Sequence, residues 1–73
     1  MSPNQMQKAI ERGQAPAGVE RIDRGNPSLF EQPHVHFDGG AALNKDGTWK
    51  HGNAFLTEDQ KQWLKDNQWT LPK

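Results

Sequence analysis

His34 and His36 stand one residue apart in Pro33-His34-Val35-His36-Phe37. On a strand, side chains alternate between faces, so both imidazoles project from one side while Val35 and Phe37 point to the other. Imidazole titrates near neutrality and is a frequent metal ligand, so the pair suits two chemistries. In the first, one ring takes a proton from a nucleophile, the other protonates a leaving group, and a nearby cation stabilises the charge that develops between them. Cleavage of RNA through its own 2′-hydroxyl needs these roles and no cofactor. In the second, His-x-His with a further ligand holds zinc and leaves a position open for water. The third reading is a solvent-facing strand that simply tolerates two polar rings.

The neighbours of the pair follow from the strands that must carry it. Pro33 suits the first residue of a strand, and Asp38-Gly39-Gly40 supplies the reversal that ends it. Ala41 to Leu43 then forms the next strand. Asn44-Lys45-Asp46-Gly47 has the composition of a type I turn closed by a glycine bulge. In that geometry Gly47 and Thr48 together oppose Asn44, Trp49 faces Leu43, and His51 lies near Ala41. Leu43 and Trp49 become a core pair. Thr48 and Lys50 take the opposite face, and Val35 and Phe37 in the Leu43 layer put His34 and His36 there too. The expected catalytic constellation is therefore His34, His36, Lys50 and Thr48, with Lys50 and Thr48 holding a phosphate. For a metal, the imidazole set is His34, His36 and His51, and the place of His51 on the other face makes Asp38 the better supplement.

Around these strands the chain reads as one small domain spanning residues 1–73. Ser2, Pro3 and Gln5 form a helix start with a capping box, Met6, Ala9 and Ile10 recur at helical spacing, and Gly13 stops a helix over residues 3–12. Residues 14–18 are a connector. Val19 to Asp23 reads as a short strand, although Val19 and Ile22 fall on opposite faces of a regular one. Gly25 to Ser28 is a turn, after which Leu29 and Phe30 are expected to anchor the loop. A second helix begins at Thr57 with Gln60 completing its capping box and two acids in the first turn. Trp63 and Leu64 point inward, while Trp69 and Leu71 fold back onto the core. The expected fold is α+β: a three- to four-stranded antiparallel sheet with an N-terminal and a C-terminal helix packed on one face. The other face, carrying the histidines, is left open to solvent.

Composition narrows the classes. The absence of cysteine excludes disulfides and thiolate-held zinc. Nine basic and nine acidic side chains balance, so no global field draws polyanions, and nucleic-acid binding requires a locally basic face. Arg12, Arg21 and Arg24 alternate with Glu11, Glu20 and Asp23, which reads as solvated charge rather than a phosphate-binding stripe. With no secretion-type start and no transmembrane-length apolar run, a soluble cytoplasmic protein that engages no membrane is expected.

The run PHVHFDGGAALNKDGTWKH from Pro33 to His51, followed by LTEDQKQWLKDNQWTLP at residues 56–72, resembles the C-terminal toxin modules of bacterial polymorphic and contact-dependent inhibition toxins. Many such modules are small ribonucleases, similar to barnase, EndoU, the ribonuclease colicins and RelE. The helix-strand-strand-strand-helix order is also similar to that of the HicA messenger-RNA interferases. Both resemblances imply RNA as substrate and a cognate immunity or antitoxin protein as partner. They imply His34 or His36 as the catalytic imidazole, with Lys50 as charge stabiliser. The resulting expectation is a metal-independent, toxin-like endoribonuclease. The alternatives are a non-enzymatic interaction module that binds a protein partner, and a histidine-ligated zinc site.

Overall fold

Ser2 and Thr57 begin the two helices by the same chemistry. The structure, a computed structural model, describes residues 2–73. Ser2 Oγ accepts from Gln5 N at 3.2 Å while Ser2 N donates to Gln5 Oε1 at 2.8 Å, and α1 runs over Pro3–Glu11. Thr57 and Gln60 repeat the reciprocal pair at 3.1 and 2.9 Å to open α2, Glu58–Asp66. Both helices close with a Schellman pair of hydrogen bonds. Gly13 N and Gln14 N donate to Ile10 O and Ala9 O, and Gln68 N and Trp69 N donate to Lys65 O and Leu64 O. In the second case the left-handed position is filled by Gln68, at φ 64°. The turn sends the indole of Trp69 back to Leu64 and the core.

Between the helices lie β1 (Val19–Asp23), a short 3-10 turn (Pro27–Leu29), β2 (His34–Phe37), β3 (Ala42–Asn44) and β4 (Trp49–His51). The strands form one antiparallel sheet in chain order, β1-β2-β3-β4. Ile22, Val35, Leu43 and Trp49 align in one cross-strand row. On this face Met6 of α1 and Leu64 of α2 join Ile22, Val35, Phe37 and Leu43 in the core, each fully buried aliphatic side chain contributing about 1.5–3 kcal/mol. The α+β architecture expected from the sequence is therefore present, with four strands. The difficulty over Val19 and Ile22 is resolved by a bulge at Glu20. Val19 pairs with Phe37 and Arg21 with His36, which returns Val19 and Ile22 to the same face.

Two local expectations need correction. Leu29 and Phe30 do not anchor their loop, being 72% and 98% exposed. Polar contacts fasten it instead: Glu31 N donates to Asn26 O, Gln32 Oε1 accepts from Asp46 N at 2.9 Å, and Lys50 Nζ meets Glu31 Oε2 at 3.2 Å. The histidine face is also not open, because His34 is 2% exposed and His36 is half-buried. No helix among the described residues is long and apolar enough to cross a membrane.

Candidate metal centre

Ile22 and Val35 face the core as cross-strand partners, so the residues flanking them must face away from it. This puts Asp23 opposite His34 and Arg21 opposite His36. The rings of His34 and His36 meet edge to face with centroids 4.8 Å apart. Asp23 Oδ2 lies 3.6 Å from His34 Nε2 and 3.9 Å from Arg21 Nη1. One ligand atom from each of Asp23, His34 and His36 falls within 4.8 Å of the others.

The protonation pattern suits a cation. His34 Nδ1 is 3.2 Å from Gln32 O, and a carbonyl only accepts, so Nδ1 carries the hydrogen and Nε2 is the nitrogen left to face the Asp23 carboxylate. His36 Nε2 is buried and finds no hydrogen-bond partner among the described residues, an expensive state for a polar atom. The Gly25 N–H donated to Asp23 Oδ1 at 2.9 Å holds the carboxyl below its usual range, with His34, Arg21 and His36 adding to the effect. Burial first, then the charges of Arg21 and His34, lower the pKa of His36. An ionised carboxylate and a neutral imidazole are the ligand forms a metal requires.

A carbonyl fixing the far nitrogen of a histidine is the usual support for a metal-bound ring. Gly25 helps to place that carbonyl. It adopts φ 71°, and a Cβ there would run into the backbone of Glu31 and Gln32, so only glycine admits this close approach. In a tetrahedral zinc site with ligand bonds of about 2.0–2.1 Å, ligand atoms sit roughly 3.3 Å apart. The three ligand atoms span up to 4.8 Å, so a tetrahedral ion requires side-chain rotations that draw the set together by about 1.5 Å at its widest.

The other expected site residues are placed elsewhere. Thr48 is exposed and committed to its own turn, its hydroxyl donating to Asp46 Oδ1 at 2.6 Å and accepting from Asn44 Nδ2 at 3.2 Å. Lys50 is engaged by Glu31. His51 pairs with Ala42 rather than Ala41, because β4 carries a bulge there, which moves it to the face of His36 instead of the opposite one. It is exposed and two strands from His36, roughly 10 Å at ordinary strand spacing, and it takes no part in the cluster. Asp38 sits in the exposed turn after β2, also outside it. Asp23 and Arg21 are the residues that sequence reasoning passed over as solvated charge. Aligning Ile22 with Val35 was the signal that places them beside the histidines. Compared with protein families, with curated proteins and with solved structures, the chain gave no match.

Proposed function

We propose that this chain is a small metal-binding domain in which Asp23, His34 and His36 hold one divalent cation of the zinc class. The observation that carries the reading is the convergence of three ligand atoms within 4.8 Å of one another, among them His36 Nε2, buried and with no partner among the described residues. Two imidazoles and a carboxylate are borderline ligands suited to zinc, and three protein ligands leave a position for water or substrate. Asp23 keeps 42% of its side chain exposed, so that position opens on the Asp23 side.

A second reading retains the ribonuclease expected from the sequence, with its RNA substrate, cytoplasmic setting and protein inhibitor. One observation favours it: Arg21 stands opposite His36 and supplies, in place of Lys50, the cation that acid-base cleavage needs. The burial of His34 weighs toward the metal, since an acid-base ring must reach its substrate.

Adding zinc to chelator-treated protein tests the first reading. A hundredfold excess over Kd stabilises the fold by about 2.7 kcal/mol, which raises Tm by roughly 10–20 °C in a chain of this size. No shift in Tm contradicts metal binding. RNA cleavage that persists in chelator supports the second reading, and intact RNA opposes it.

A further inference from the structure

We infer that the metal-loaded centre takes a phosphate-type oxyanion, held jointly by the cation and by the Arg21 guanidinium; this rests on the metal reading above. Arg21 is the cross-strand partner of His36 and reaches to 3.9 Å from Asp23 Oδ2. That separation exceeds hydrogen-bonding distance, so its contact with Asp23 does not use up the fork of guanidinium donors. About half of the Arg21 side chain and 42% of that of Asp23 are exposed, while the tip of His36 is sealed. A ligand therefore approaches from the arginine side.

Charge and acceptor count fix the class of ligand. A divalent cation and Arg21, against the charges of Asp23 and of Glu20, which also acts on His36, leave the partly buried site with a net of about one positive charge. A phosphate group carries about 1.5–2 negative charges and three acceptor oxygens, enough to bind the metal through one and the guanidinium through two. A carboxylate has only two acceptor oxygens, too few to bind the metal through one and the guanidinium through two. Lys50 and Lys61, by contrast, are matched by Glu31 and Glu58.

Cobalt(II) in place of zinc gives the centre a visible spectrum that reports its ligands. Inorganic phosphate and acetate are titrated into the cobalt-loaded protein and into Arg21→Gln and Arg21→Lys, with cobalt affinity measured in parallel. The expected result is a saturable spectral change with phosphate, at least tenfold weaker with acetate. Arg21→Gln weakens the phosphate response at least tenfold, Arg21→Lys restores part of it, and cobalt affinity stays within threefold. No phosphate response from cobalt-loaded protein overturns the inference, as does a response unchanged in Arg21→Gln. A loss of cobalt affinity in Arg21→Gln as large as the loss of phosphate also overturns it, because Arg21 then only positions Asp23. Failure of the wild type to bind cobalt removes the metal reading itself.

Discussion

Asp23 Oδ2 and His34 Nε2 face each other at 3.6 Å across β1 and β2, and the ring's other nitrogen is turned to Gln32 O. A positive charge shared between His34 Nε2 and the carboxylate, whether a proton or a metal cation, favours the pair. The sheet register enforces the encounter, since Asp23 and His34 are cross-strand partners.

Asp23→Asn keeps the shape of the side chain and removes its charge. Loss of groups that merely support metal ligands costs 10–100-fold in affinity, so losing the carboxylate ligand is expected to cost at least about 100-fold. A competition titration against a chromophoric chelator measures this. The apo variant is expected to fold as the wild type does, checked by circular dichroism.

Gly25→Ala puts a Cβ into the backbone of Glu31 and Gln32 at a left-handed φ. Gly39→Ala has a similar conformational penalty, at φ 93°, but open space around the new carbon. Urea unfolding is expected to show a loss of about 1 kcal/mol for Gly39→Ala and a clearly larger one for Gly25→Ala. Metal affinity should fall only in the latter, because the Gln32 carbonyl that orients His34 is displaced.

The hairpin over Asn44 to Thr48 is legible in the sequence because turn chemistry is local, and its glycine bulge gives the Leu43–Trp49 pairing that is observed. Capping boxes at Ser2 and Thr57 are legible for the same reason. The half of the site on β1 is not. The bulge at Glu20 breaks the alternation that would have shown Ile22 facing the core and Asp23 facing the histidines. Burial of His34 depends on the irregular connection before β2, which has no periodicity to read. The ion pair of Lys50 with Glu31 arises from that same connection, which is why Lys50 looked available beside the histidines.

Asp46 sits below its ordinary value of 3.8 because the Thr48 hydroxyl, and then the Thr48 N–H, donate to it. Its folded pKa is depressed, so the unfolded chain takes up this proton first as acid is added. The stability it contributes is complete above about pH 4 to 5 and is lost as pH falls through the folded pKa. Asp46→Asn is expected to flatten the fall in urea midpoint between pH 5 and pH 3. An unchanged acid slope contradicts the assignment.

Leu43 is fully buried in the central row of the sheet. Leu43→Ala is expected to cost about 2–5 kcal/mol, a large share of the stability of so short a chain. At the helix end, Gln68→Gly relieves a left-handed non-glycine residue and is expected to stabilise by roughly 0.5–1 kcal/mol. Thermal and urea unfolding measure both.

The most direct measurement is long-range nitrogen–proton NMR of the three histidine rings as zinc is added to the apo protein. It reads, ring by ring, which nitrogen carries hydrogen and which binds metal. We expect His34 and His36 to show Nδ1–H tautomers whose Nε2 signals move together and saturate at one zinc per chain, while His51 stays unchanged. Zinc shifting His51 alone, or moving none of the three rings, contradicts a metal centre formed by Asp23, His34 and His36.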